Sequence, residues 1–137
     1  MPAPPSQGAD GGSPLQAIEA KAFVPARDFD LSLRFYRALG FVVAWSEGGL
    51  AELRHGAAAF LLQDFHVDAH AANFQMHLLV ESADAWHRRF ETHGIAEAFG
   101  VRPEPPADRP WGIRDFSFVD PGGVMWRVGH ALAPRRR

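Results

Sequence analysis

Apolar and mixed residues alternate from Ile18 to Val24, which is the period of a half-buried strand. Ile18, Ala20, Ala22 and Val24 share one side; Glu19, Lys21 and Phe23 share the other. The period then changes to that of a helix, with Leu31, Phe35, Tyr36 and Leu39 on one stripe. Asp28 or Asp30 offers the N-cap, and Gly40 stands where a helix ends in a left-handed residue. Three strand-like stretches follow, Phe41–Ser46, Leu50–Arg54 and Ala57–Gln63, separated by turns at Glu47–Gly49 and His55–Gly56.

The same order returns about 54 residues later, the offset that separates Gly40 from Gly94. Phe74, Met76, Leu78 and Val80 form one side of a strand; Gln75, His77 and Leu79 form the other. Ser82 or Asp84 starts a helix whose inward stripe includes Trp86 and Phe90, and Ile95 takes the place of Phe41. A Pro-rich loop, Arg102–Pro110, precedes a hairpin of Asp115–Val119 and Val124–Gly129 joined by Asp120-Pro121-Gly122-Gly123. The repeated unit is βαβββ. The expected fold class is α+β: paired βαβββ modules forming two curled four-stranded mixed sheets around a cleft, helices outside. The expected domain spans 15–132, with modules at about 15–65 and 72–131, a disordered tail over 1–14 and a basic tail over 133–137.

Composition narrows the function classes. A chain of 137 residues with 47% apolar and 22% charged residues suits one soluble domain with its own core. A net charge of −2 gives no reason to expect nucleic acid as a partner, and no stretch reaches the length of a membrane span. Met1–Pro14 has neither the basic start nor the apolar run of a signal peptide. The absence of cysteine removes disulfides and thiolate chemistry and fits a cytoplasmic location.

Three segments carry a family resemblance. Asp28-Phe29-Asp30-Leu31-Ser32-Leu33-Arg34-Phe35-Tyr36 through Leu39-Gly40-Phe41 resembles the first-helix signature of the vicinal oxygen chelate superfamily. Trp111-Gly112-Ile113-Arg114-Asp115-Phe116, with Asp120-Pro121-Gly122-Gly123 and Trp126, is similar to the last hairpin of its bleomycin-resistance-like branch. Asp84-Ala85-Trp86-His87-Arg88-Arg89-Phe90 is similar to the second helix of that branch. The resemblance covers roughly residues 15–130 and extends to glyoxalase I, extradiol dioxygenases, fosfomycin resistance enzymes and non-enzymatic bleomycin-binding proteins. Fold does not choose among these; the site must.

The resemblance implies a metal held by four inward strand positions in the enzymes. Here those positions fall at Lys21, at Phe60 or Leu61, at Gln75 and at Arg127, so only Gln75 can coordinate. Two cations where a metal should sit oppose it electrostatically. No metal and no cofactor are expected. His66-x-Asp68-x-His70 would align three ligand types if extended, but it lies in a stretch without strand pattern and reads as a polar linker.

The expected cleft is a small-molecule pocket of aromatic walls and a few placed polar groups. Its residues are Lys21, Phe23, Phe60, Gln75, His77, Trp111 and Arg127, with Glu19 and Asp115 as further polar groups. Trp45, Trp86 and Trp126 are expected in the core, whereas Trp111, after the Pro-rich loop, is expected to touch ligand or a partner subunit. The leading reading is metal-free binding or sequestration of a small aromatic or apolar molecule by a homodimer, as in antibiotic resistance. The alternatives are a divalent-metal lyase, dioxygenase or transferase, and metal-independent acid–base catalysis by His77 with Glu19. Lys21 and Arg127 favour neutral or anionic ligands over cationic ones.

Overall fold

The structure, a computed structural model, describes residues 14–133; the expected tails over 1–14 and 133–137 fall almost entirely outside the described residues. The first module begins with β1 (Phe23–Pro25) and α1 (Phe29–Leu39). Asp28 caps α1, its carboxylate accepting from the Leu31 amide at 3.0 Å, and Gly40 ends it at φ 107°. That φ favours glycine, so the helix stops where the sequence predicts. Strands β2 (Val42–Glu47), β3 (Leu50–His55) and β4 (Ala58–Gln63) complete the module. A short helix, α2 (Asp68–Ala72), leads to β5 (Gln75–Leu79) and α3 (Ala83–Thr92). Ser82 caps α3 through the Ala85 amide, and His130 Nδ1 accepts from the Ala83 amide at 2.8 Å. The helix α4 (Ile95–Phe99), the two-residue β6 (Ala107–Asp108), β7 (Ile113–Val119) and β8 (Met125–Ala131) follow.

Two four-stranded sheets result, ordered β1-β4-β3-β2 and β5-β8-β7-β6. In each, the first strand pairs in parallel with the last and the remaining pairs are antiparallel, so both sheets are mixed. The α+β class and the paired modules are as the repeat predicts. The copies differ in detail. Of the expected first strand Ile18–Val24, only Phe23 and Val24 fall in β1, which runs on to Pro25, and Ile18 is exposed. In the second module α4 stands where the first has the start of β2, because Gly94 and Gly100 both take left-handed conformations and bracket one short helical segment.

Strand alternation decides what each face does. Phe60 and Leu62 of β4, with Ala51 and Leu53 of β3, are buried toward α1. Trp126 and Val128 of β8, with Phe116 and Phe118 of β7, are buried toward α3. These two helix-bearing sides meet in one core. Trp126 packs against Phe60 at 5.2 Å, Tyr36 at 5.6 Å and Phe118 at 6.2 Å between ring centroids, and Phe35 lies 5.7 Å from Phe118. The helices sit on the expected side of each sheet, but the sheets do not close around a cleft within one chain. Because the aromatic sides join, the opposite, polar sides are left open separately.

Candidate functional site

The open side of the first sheet follows from register. Phe23 pairs with Leu61, and Leu61 with Glu52, so these three side chains share a face. Trp45 joins them: a register shift between Val43 and Trp45 places it opposite Glu52, to which its indole N–H donates at 3.3 Å. The charges on this face neutralise one another. Lys21 Nζ lies 2.9 Å from Glu19 and 3.1 Å from Glu52, and Arg54 donates to both carboxylates. Hydrogen bonds from Arg54 and Lys21 hold the Glu19 carboxyl below the usual glutamate range. Burial pushes Glu52 up, but hydrogen bonds from Lys21 and Arg54 outweigh it and the net shift is downward. Lys21 is raised by Glu19 and Glu52 in turn. Phe23, 50% exposed, and Val42, opposite Arg54, are large apolar side chains this network leaves uncovered.

The open side of the second sheet carries Gln75, His77 and Leu79 of β5, which pair with Met125, Arg127 and Gly129 of β8. Across β8, Arg127 pairs with Ser117 and Gly129 with Asp115. Asp115 is buried and takes Arg109 at 2.7 Å and Arg127 at 3.5 Å. Arg109 thereby ties the Pro-rich loop to β7, helped by its amide bond to the Ile113 carbonyl. Trp111, at the tip, is 61% exposed. A cavity of about 470 Å³ opens at one end of this face, with Ser117, Val119, Met125, Arg102 and Glu104 among its walls.

The sequence-predicted residues therefore divide. Lys21 and Phe23 share one open face; Gln75, His77 and Arg127 share the other, and Trp111 is exposed on the loop before β7. Phe60 belongs to neither. It is 1% exposed and packs on Tyr36, Phe41 and Trp126, so Leu61, one residue on and 8% exposed, is the side chain on the face of Phe23 and Glu52. Trp45 was expected in the core and instead lies on the open face, because the bulge in β2 reverses its side. Trp126 is in the core, and Trp86 is half-buried against it. Glu52, Arg54 and Arg109 were not among the expected site residues. The alternation of Glu52 and Arg54 with Ala51 and Leu53 was a usable signal for the first two; Arg109 sits in a loop with no period to read.

Glu19 and His77 lie on different open faces, so the chain does not assemble them as an acid–base pair. The His66-Asp68-His70 segment is not extended. Asp68 and His70 are in α2, while His66 contacts the Gly122 carbonyl at 2.6 Å through Nε2 and Asp68 at 3.1 Å through Nδ1. It fastens the inter-module linker to the β7–β8 turn. Among the described residues, no three His, Asp or Glu side chains are grouped to hold a metal ion.

Residues 19–128 match the family model described as the Glyoxalase/Bleomycin resistance protein/Dioxygenase superfamily. The chain belongs to this superfamily. A bleomycin resistance protein from Klebsiella pneumoniae is 29% identical over 115 residues, covering 80% of this chain and 90% of that one. A bleomycin-binding protein solved in complex with bleomycin aligns with a TM-score of 0.71 at 25% identity, over 83% of this chain and 98% of its own. The bleomycin-binding protein of Streptomyces verticillus, solved with copper(II)-bleomycin, shares the fold: TM-score 0.68 at 22% identity, over 88% and 99% of the two chains.

Against the metal positions expected of superfamily enzymes, the donor set does not fit. Lys21 and Arg127 are cations already held by carboxylates, Leu61 is an alkyl group, and Gln75 is left alone. A divalent ion needs three or four converging donors. No catalytic step through a metal can be built from these side chains. Among the described residues, no helix is long and apolar enough to cross a membrane.

Proposed function

We propose that this chain binds and sequesters a small aromatic or apolar molecule without a metal, in the manner of the bleomycin-binding members of its superfamily. The observation that carries this reading is the state of the two open faces. Each presents large apolar side chains, Phe23 on one and Leu79 on the other, beside charges that are paired with one another. Ion-paired side chains are poor nucleophiles and bases but serve well as fixed polar walls around an apolar surface. The relatives' printed names, bleomycin resistance protein and bleomycin-binding protein, support the antibiotic class of ligand.

Because the faces point apart, each is half a cleft. The reading therefore includes a homodimer, in which the first-sheet face of one chain covers the second-sheet face of its partner. Isologous pairing of this kind gives two equivalent sites and covers the exposed edge strands β1 and β5. The combined walls bring Lys21, Arg54, Arg109 and Arg127 against Glu19, Glu52 and Asp115, one cation in excess. That balance favours neutral or anionic aromatic ligands.

The test is a fluorescence screen of aromatic antibiotics on the purified chain, with sedimentation analysis in parallel. A dimer with one saturable site per chain, weakened by Phe23→Asp and by His77→Ala, is expected. A chain that stays monomeric at micromolar concentration, or a ligand whose affinity neither variant changes, would refute the reading. So would about one equivalent of bound Zn, Ni, Mn or Fe that Gln75→Ala abolishes.

A further inference from the structure

A second, separate groove of about 360 Å³ lies on the helical side of the molecule, between the C-terminal end of α1, the end of β3 and α3. Its lining includes Leu39, His55, Trp86, Arg88, Arg89 and His93 and contains no carboxylate. Arg27, Arg34, Arg54, Arg109, Arg114 and Arg127 each meet an acidic side chain. Arg88 and Arg89, like Arg37 and Arg102, make no ion pair with an acidic side chain among the described residues; Asp84, one turn before Arg88, is engaged by Arg114 and feels Arg88 only through space.

The groups converge. Arg89 donates through Nε to the Ala38 carbonyl at 2.9 Å, which fixes its guanidinium at the end of α1 and leaves both terminal nitrogens without a hydrogen-bond partner among the described residues. The His55 ring and Arg89 Nη2 meet over Gly40: the point where a Cβ on that glycine would stand is 3.5 Å from the ring and 3.7 Å from the nitrogen. Trp86 supplies the apolar wall, its ring 4.9 Å from that of His55. A planar cation fork held in place beside an aromatic wall is suited to an oxyanion attached to an apolar body. The volume lies within the range of small-molecule sites.

We propose that this groove is a second ligand site that takes a small aromatic or apolar anion. Arg88 and Arg89 hold its carboxylate or other oxyanion, and Trp86 packs on its body. The site is independent of the two open faces and does not rest on the function proposed for them.

The probe is 1-naphthoate, with 1-naphthalenemethanol as its uncharged counterpart, titrated into the full-length, nitrogen-15-labelled chain. The indole N–H signals of Trp86, Trp45 and Trp111 report the groove, the first open face and the exposed loop before β7 separately. Saturable displacement of the Trp86 signal by naphthoate is expected, with the alcohol binding at least about ten-fold more weakly, since a charge-assisted hydrogen bond is worth about that factor. Arg88→Glu should weaken naphthoate by about ten-fold or more; Arg88 is exposed, and the variant's amide spectrum checks that it is folded. Phe23→Asp should leave the Trp86 response unchanged. The proposal is overturned if naphthoate moves only Trp45 or Trp111, if acid and alcohol bind alike, or if Arg88→Glu has no effect. It is equally overturned if naphthoate is inert while polyglutamate displaces Trp86, which would make the groove a docking surface for acidic protein.

Discussion

Trp126→Ala tests the joining of the two modules most directly. The indole is 2% exposed and touches rings from both halves of the chain, Tyr36, Phe41 and Phe60 from the first and Phe118 from the second. Removing a buried aromatic ring costs about 3–5 kcal/mol, because the cavity closes only in part. The indole N–H also donates to the Tyr36 hydroxyl at 2.8 Å. That hydroxyl keeps its own bond to Asp120, so losing the indole adds only about 1 kcal/mol. The sum is about 4–6 kcal/mol, a large share of the roughly 5–15 kcal/mol available to a domain. Urea unfolding followed by far-ultraviolet circular dichroism measures it. Trp126→Phe keeps most of the ring and loses the hydrogen bond, and should cost about 1–2 kcal/mol. His77→Ala, on an exposed residue of the open face, should stay within about 0.5 kcal/mol of the parent. The reasoning fails if Trp126→Ala costs less than about 1 kcal/mol, or if His77→Ala costs as much as it does. Either result would mean that the strand faces are reversed and the open faces wrongly assigned.

Other outcomes follow from single contacts. Gly129→Ala should lower stability by about 1–3 kcal/mol in the same assay, since its Cβ would stand 2.8 Å from Ile113 Cγ2 and 3.1 Å from the Arg114 carbonyl. Tyr36→Phe removes the hydroxyl shared by Trp126 and buried Asp120, leaves both without that partner, and should cost about 1–3 kcal/mol. Asp115→Ala frees Arg109 and Arg127 together; limited proteolysis should then cut the Pro-rich loop faster, and an anionic aromatic ligand should bind more tightly. The pH dependence has two opposed parts. Glu19 and Glu52 titrate below the ordinary glutamate value of 4.5 in the fold, so their contribution is present above that pH and is lost as pH falls through the folded values. Asp120 is raised by burial from 3.8, so its ionisation costs stability as pH rises through the window above 3.8. Asp120→Asn should therefore flatten the high-pH side of the stability curve between pH 4 and the Asp120 midpoint, measured by urea titrations (about half a pH unit apart).

The sequence by itself determined the repeat, the capped helix α1, the last hairpin and the sides of β5 and β8 in the second sheet; β6 lay inside what reads as a Pro-rich loop. These rest on local signals: the N-cap at Asp28, the left-handed glycine at Gly40 and a period of two through Gln75–Leu79. The assignment of Gln75, His77 and Arg127 to one face, and of Trp126 to the other, needed nothing more. Where a local rule was broken, sequence gave no warning. A bulge in β2 turned Trp45 outward, and one residue's uncertainty along β4 exchanged buried Phe60 for outward Leu61. Tertiary structure alone decided which sides of the sheets meet. Periodicity shows that each sheet has an apolar and a polar side, but it holds no information on which surface of the other module will cover it. Aromatic burial settled that: Phe60, Trp126, Phe118 and Phe35 exclude more water by packing together than either module can by itself. The polar sides were left facing outward as a consequence.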